Sequence, residues 1–303
     1  MGVVVAGSLN IDLVVNLDRM PHPGETVHGK TFQTFPGGKG LNQAVSAVRS
    51  KADTSMIGAL GTDPYSATLR DVMGAEGIDA QFVRSIDGPC GTAIIEVDSS
   101  GQNRIVVIPG ANAEMKASEA RFDSFKPGSI LLAQLESPVD QLVEIFENAK
   151  RSGLRTILNP APAIDLPESL LMNVDLLIPN QHEAKILSGL NADNRDDAVK
   201  AAHRLLERGV AAVVVTLGEV GAIYVDKEKV IFQPAFPVSP IDTTAAGDAF
   251  CGAFAAELDR GNSMEVALEY ACAAGGLATT KNGAVPSMPS ELEIRSYLAA
   301  QNN

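Results

Sequence analysis

The run DTTAAGD at 242–248 leads straight into AFCGAFAA at 249–256, a small-residue segment with strong helix propensity. A loop opening a helix carries backbone N–H groups with no partner in the helix, and the helix dipole there favours anions. Small Ala245, Ala246 and Gly247 let a phosphate group approach that backbone closely, and Asp248 beside it could take a proton from an attacking hydroxyl. The competing structural reading is that Asp242 or Asp248 only favours the helix start.

Four further clusters could carry chemistry. GGKGLNQ at 37–43 places two glycines before Lys39 and opens a helix through Asn42, Ala44 and Ala47. It departs from a Walker A loop, because Gly40 follows Lys39 where Ser or Thr is needed and Gln33 stands in the place of the opening glycine. An ordinary glycine-rich turn with a solvated lysine is the competing reading. GSLNID at 7–12 sets Asn10 and Asp12 on alternate positions after an apolar run, so both could bond one polyol, although Asx residues at strand ends are also turn formers. Glu136 follows the apolar run ending at Leu135, and Asn180 and Glu183 follow Ile178 and Pro179. Thr216, Leu217, Gly218, Glu219, Val220 and Gly221 end another apolar run, with glycines able to pass near a nucleotide or simply to turn the chain.

Those clusters require strands to carry them. Val3–Ala6, 130–135, 156–158, 176–178 and 211–217 are continuous apolar runs, and 139–149 and 198–208 show helical spacing, with Leu205 and Leu206 expected inward. Continuous apolar strands separated by helices indicate a mostly parallel, Rossmann-like α/β sheet covered on both faces, whose strand carboxyl ends bind ligands. The first third differs. Residues 12–35 and 91–108 alternate and carry turn signals, as exposed antiparallel ribbons do, with a hairpin at 92–97 and 104–108; 64–77 reads as a helix with Leu69, Val72 and Met73 on one face. The expectation is one α/β unit over 1–303 with a small antiparallel β appendage built by insertions at roughly 12–35 and 90–108.

Composition narrows the partners. Twenty-four Lys and Arg against 37 Asp and Glu give a net charge of −13, which argues against nucleic acid and anionic membranes as general partners. Cys90, Cys251 and Cys272 are far apart and form no CxxC, and the four histidines show no HExxH spacing, so neither a disulfide framework nor a thiolate zinc site is expected. The N-terminus lacks the pattern of a signal peptide or a myristoylation site, and no run of about 18 apolar residues occurs. A soluble, cytoplasmic protein is the expectation.

GSLNID, PGETV at 23–27, GGKGLNQA at 37–44, NRIVVIPGAN at 103–112, QLESP at 134–138, PNQHE at 179–183, TLGEVG at 216–221 and DTTAAGD occur in an order that resembles the ribokinase family of sugar kinases over nearly the whole chain. The GGKG and PGAN segments point, within that family, to the members that phosphorylate ribose. The resemblance implies a lid that closes over the sugar and often pairs two subunits, hence a homodimer. It implies ribose contacts from Asn10, Asp12, Gly38, Lys39, Asn42 and Glu136, with Asp248 as base toward the 5-hydroxyl and the amides of Ala245, Ala246 and Gly247 as anion hole. ATP would lie along Asn180, 216–221 and Gly247, with Mg²⁺ organised through water by Asn180 and Glu183. A monovalent cation, usually K⁺, would be held by Asp242, Thr244, Ala278, Lys281, Gly283 and Ser287, mostly through carbonyls. Where family members can carry Asn beside the adenine, this chain has Ala271, Cys272 and Ala273, which argues against an adenine contact there. Two alternatives stay open: the same chemistry on deoxyribose, a nucleoside or a ketose, and a non-catalytic sugar-binding regulator.

Overall fold

The structure, a computed structural model, describes residues 1–301. Thirteen strands are described: β1 (Val3–Ala6), β2 (Asn10–Leu17), β3 (Gly29–Gly37), β4 (Thr54–Leu60), β5 (Asp79–Ser85), β6 (Gly91–Val97), β7 (Asn103–Ile108), β8 (Ile130–Ala133), β9 (Arg155–Leu158), β10 (Leu176–Leu177), β11 (Ala212–Thr216), β12 (Gly221–Val225) and β13 (Val230–Pro234). Nine of them form one sheet in the order β13-β12-β11-β10-β9-β8-β1-β4-β5. It is parallel from β11 to β5, and β12 and β13 add an antiparallel edge. The chain starts in the middle at β1, builds outward through β4 and β5, then returns to the other side of β1 with β8. The strand order therefore reverses between β1 and β8, which is where open α/β sheets bind ligands.

Both faces of the sheet are covered, as continuous apolar strands require. Val3 and Val5 pack into one apolar cluster and Val4 and Ala6 into the other. The first cluster is closed by α1 (Lys39–Arg49), α2 (Pro64–Glu76), α7 (Ala246–Asp259) and α8 (Met264–Ala278), and the second by α3 (Val139–Arg151), α4 (Glu168–Leu171), α5 (Gln181–Ser188) and α6 (Arg195–Glu207). A last helix, α9 (Glu291–Gln301), lays Ile294 against Tyr270 and Ala253.

The remaining strands form a second sheet, β3-β2-β6-β7. The hairpins β2–β3 and β6–β7 are antiparallel, as their alternation predicts, and β2 and β6 join them side by side in parallel. They span 10–37 and 91–108, within two residues of the expected 12–35 and 90–108 at all four ends. β3 continues to Gly37 because it feeds directly into α1.

Two local readings need correction. The strand expected over 130–135 ends at Ala133, since Gln134 turns a fully buried side chain toward Gln43 and Leu135 N–H donates to the Ala161 carbonyl at 2.9 Å. Leu205 is fully buried as expected, but Leu206 lies at the margin of its cluster.

The small residues of α7 have a packing reason. A Cβ at Gly252 would stand 2.6 Å from the Ser46 Cβ and overlap the Gln43 carbonyl, and Ser46 Oγ donates to the Ala249 carbonyl at 2.7 Å. Bare surface on α7 lets α1 lie almost backbone to backbone with it. That approach carries Asp248 to Asn42 and Gln43, some 200 residues away in sequence.

Candidate active site

The start of α1 packs on the carboxyl end of β1. A Cβ at Gly40 would sit 2.6 Å from the Gly7 carbonyl carbon and from Ser8 N, and Leu41 N–H donates to the Ser8 carbonyl at 3.0 Å. Gly38, at φ 91°, turns the chain from β3 into α1 in a region L side chains rarely enter. Glu136, one strand over, accepts from Ser8 Oγ at 2.6 Å and from the Lys39 N–H at 3.1 Å, so its carboxylate occupies the positive end of α1. Lys39 is half-buried, not a solvated lysine.

Asn10 and Asp12 open β2 on one side of the strand. Asn10 is buried and its Oδ1 accepts from Asn112 Nδ2 at 2.7 Å, while Asn112 Oδ1 takes the Leu9 N–H at 2.9 Å. Gly91 is glycine because a side chain there would overlap both amides, and Gly37 because it would overlap the Asp12 carboxylate.

Asp248 stands in the first turn of α7, only 6% exposed. It does not cap that helix. Its Oδ2 accepts from Asn42 Nδ2 at 3.0 Å and its Oδ1 from Gln43 Nε2 at 2.9 Å. Ala245, a non-glycine residue at φ 59°, is the N-cap of the helix, and the first amide bonded within the helix is Ala249, donating to the Ala245 carbonyl at 2.9 Å. Of the three expected anion-hole amides, Ala246 donates to the Thr243 carbonyl at a long 3.3 Å, and those of Ala245 and Gly247 have no protein acceptor among the described residues.

Electrostatics binds these groups into one site. Burial, then Glu136 and Asp248, push Asp12 up to about 7, with Lys39 opposing. Burial also raises Asp248, against the pull of Lys39, Gln43 and Asn42, and raises Glu183. Burial would lower Lys39, but Asp248 and Glu136 hold it above its ordinary value. Carboxyls raised by burial and by one another around a single lysine make this cluster a candidate for acid–base chemistry.

The nucleotide candidates sit at the carboxyl ends of β10 and β11. Asn180 caps α5 reciprocally with Glu183: Asn180 Oδ1 takes the Glu183 N–H and Glu183 Oε2 takes the Asn180 N–H, both at 2.9 Å. Asn180 and Thr216 form a parallel bridge. Gly218, Glu219 and Val220 are exposed, whereas Leu217 is buried in the core. Gly221 has a structural reason, because at φ 126° a side chain would overlap the Gln233 carbonyl of β13.

Asp242 ties the remaining candidates together. Its Oδ1 accepts from Thr244 N–H and its Oδ2 from Gly283 N–H, both at 2.9 Å, and although burial works the other way these bonds hold it below the usual carboxylate range. The same loop is pinned at Ala278, whose carbonyl takes the Lys281 N–H at 3.4 Å, and at Ser287, whose Oγ donates to the Ala284 carbonyl at 2.8 Å. The Lys281 ammonium faces away, to Glu293 on α9 at 2.8 Å.

Residues 2–291 match the model of the pfkB family carbohydrate kinases. The chain belongs to that family. Among this family's ribokinases, the one from Staphylococcus aureus is 37% identical over 297 residues, covering 96% of this chain and 98% of its own. The solved Thermotoga maritima ribokinase superposes with a TM-score of 0.90 at 37% identity, covering 99% of each chain. The Arabidopsis thaliana ribokinase solved with ribose and ATP gives 0.91 at 33%, covering 98% of each.

Five buried polar residues around this candidate site escaped the sequence reading: Ser8, Gln43, Asn112, Gln134 and Asn159. The first four lie inside quoted motifs, and Asn159 follows β9 at a strand carboxyl end, the position that already pointed to Glu136 and Asn180.

Proposed function

We propose that this carbohydrate kinase transfers the γ-phosphoryl group of ATP to the 5-hydroxyl of D-ribose, giving ribose 5-phosphate. The observation that carries the reading is a buried carboxylate, Asp248, fixed by Asn42 and Gln43 at the mouth of α7, facing Lys39, Asp12 and Glu136 where the strand order reverses. The likeness to a plant relative solved with ribose and ATP supports the same substrates.

Asn10, Asp12, Gly38, Lys39, Asn42 and Glu136 would hold the pentose. The buried Asn42 Oδ1 has no partner among the described residues and suits a sugar hydroxyl. Asp248 would take the proton as the 5-hydroxyl attacks the γ-phosphorus and the bond to ADP breaks. The free amides of Ala245 and Gly247, joined by that of Ala246, would stabilise the charge on the transferring group. Asn180, Gly247 and 216–221 would line ATP.

Glu183 spends one carboxylate oxygen on its capping bond and keeps the other, which suits Mg²⁺ held through water; the ion would supply neutralisation of phosphate charge. The pinned loops at 242–244 and 278–287 suit a monovalent cation such as K⁺, with Asp242, Thr244, Ala278, Lys281, Gly283 and Ser287 around it, mostly through carbonyl oxygens. The β3-β2-β6-β7 sheet would act as a lid on one α/β unit over 1–303. Its exposed Phe32 and Ile105–Ile108 support a homodimer through that sheet. No described helix is long and apolar enough to cross a membrane, and we place the protein in the cytoplasm.

The test is a coupled ADP-release assay with ribose, deoxyribose, fructose and adenosine, with and without K⁺, on the wild type and Asp248→Asn. Ribose should give the highest kcat/KM, and Asp248→Asn should stay folded, bind ribose and lose at least about 100-fold in kcat. Preference for adenosine, or near-normal turnover of the variant, overturns the proposal.

A further inference from the structure

A line of buried amides runs from Asp248 into the protein interior. Gln43 Nε2 gives one N–H to Asp248 Oδ1 at 2.9 Å and the other to Asn159 Oδ1 at 3.1 Å. Gln43 Oε1 accepts from Gln134 Nε2 at 2.6 Å. Asn159 is oriented in turn by donating to the Ile178 carbonyl at 2.8 Å. Gln43 and Gln134 are 0% exposed, and Asn159 is also buried.

Both ends of the Gln43 amide are therefore committed. Flipping it would set its carbonyl against the Asp248 carboxylate and the Asn159 oxygen, and its NH₂ against the Gln134 NH₂, turning three bonds into three repulsions. Its anchors lie at or just past the carboxyl ends of three adjacent strands: Gln134 after β8, Asn159 after β9 and Ile178 after β10. Those are rigid supports. A carboxylate on the first turn of a helix that begins in an exposed loop needs such support, because turnover depends on its placement to a fraction of an ångström.

We propose that Gln43 is a positioning residue for Asp248: relayed from Gln134 and Asn159, its side-chain N–H fixes the carboxylate's orientation and keeps it ionised, without touching either substrate. This rests on Asp248 being the base. The hydrogen bond from Gln43 favours the charged form, opposing the burial that raises Asp248. Losing it should let Asp248 hold its proton to higher pH and let the side chain swing.

Gln43→Met keeps length and volume and removes the donor. Expected are a drop of about 10- to 100-fold in kcat, ribose KM within about twofold of wild type, and the acid limb of the kcat–pH profile moved to higher pH. In an Asp248→Asn background the same substitution should lower kcat no further, since it acts only through that carboxylate. Gln134→Met, which frees the Gln43 amide to turn while leaving it in place, should reproduce the pH shift in weaker form and serves if Gln43→Met does not fold. Folded variants with unchanged kcat and pH profile overturn the proposal, as does an equal loss in the Asp248→Asn background. If Asp248→Asn alone keeps its turnover, the base assignment fails and this inference with it. If Asp248→Asn is inactive but Gln43→Met is not, only the relay fails.

Discussion

Asp12→Asn should make the protein more stable as pH rises while weakening its hold on the sugar. Asp12 is lifted from 3.8 to about 7, first by burial and then by Glu136 and Asp248. The unfolded chain gives up that proton near 3.8, so between 3.8 and 7 the native state binds more protons and wild-type stability must fall with pH, reaching a plateau above 7. Three units at 1.36 kcal/mol each make the whole penalty about 4 kcal/mol, of which about 3 kcal/mol develops between pH 5 and 8. Asparagine has almost the same shape and no charge. Its own packing and hydrogen-bond changes shift stability by a constant that drops out when two pH values are compared. Urea unfolding of wild type and variant at pH 5, 6, 7 and 8 should show the variant's advantage growing by about 3 kcal/mol across the range, with Lys39 losing one of its neighbouring carboxyls in exchange. In the same window, wild-type kcat/KM for the sugar should rise as Asp12 ionises and becomes a pure acceptor for hydroxyls, and the variant should lack that rise. A stability difference identical at pH 5 and pH 8 would refute the reasoning, because it would mean that Asp12 titrates alike in the folded and unfolded chain.

Other substitutions test the supports. Gly40→Ala drives a methyl group against the backbone of Gly7 and Ser8 and should destabilise by about 1–3 kcal/mol or more, read as a fall in Tm together with a raised ribose KM, since α1 must back away from β1. Asn112→Ala leaves Asn10 Oδ1 and Leu9 N–H without their partner and should cost about 1–3 kcal/mol in stability, with ribose KM rising more than kcat falls. Glu257, 0% exposed at the far end of α7, accepts from Asn262 at 2.5 Å and Arg295 at 2.9 Å and pairs with Arg260. Glu257→Ala removes their shared acceptor, but Arg260 and Arg295 are partly exposed and keep Glu291, so the cost in chemical denaturation should be about 1–3 kcal/mol, with kcat of the folded fraction unchanged.

Much of the fold and site was legible because the signals are local. The apolar runs of β1, β9 and β11 are buried on both faces, and that alone specified parallel strands under two layers of helices. The two hairpins showed in their alternation, and the α7 mouth in a loop of small residues ending in Asp248. The Gly37–Gly38 turn and the Asn180–Glu183 cap are likewise set within a few residues. Asn10, Asp12 and Glu136 stood out by type and strand-end position and Lys39 and Asn42 by a glycine-rich turn opening a helix, whereas their grouping as sugar contacts came from the family resemblance.

Sequence could not say what those residues do to one another. Asp248 meets Gln43 across 205 positions, Glu136 meets Lys39 across 97, and Asn112 meets Asn10 across 102. Such pairings have no periodicity to betray them, because they are set by how closely α1 can lie on β1 and α7. That distance depends on the missing side chains of Gly40 and Gly252, which a sequence records only as glycines. Protonation is decided the same way: on paper Asp12 is one carboxylate among many, and only burial among charged neighbours lifts it toward neutrality. The chain thus determines by itself which groups are present and which strands carry them. Their distances, hydrogen-bond partners and charge states belong to the tertiary structure, because each is a property of a pair brought together from distant segments.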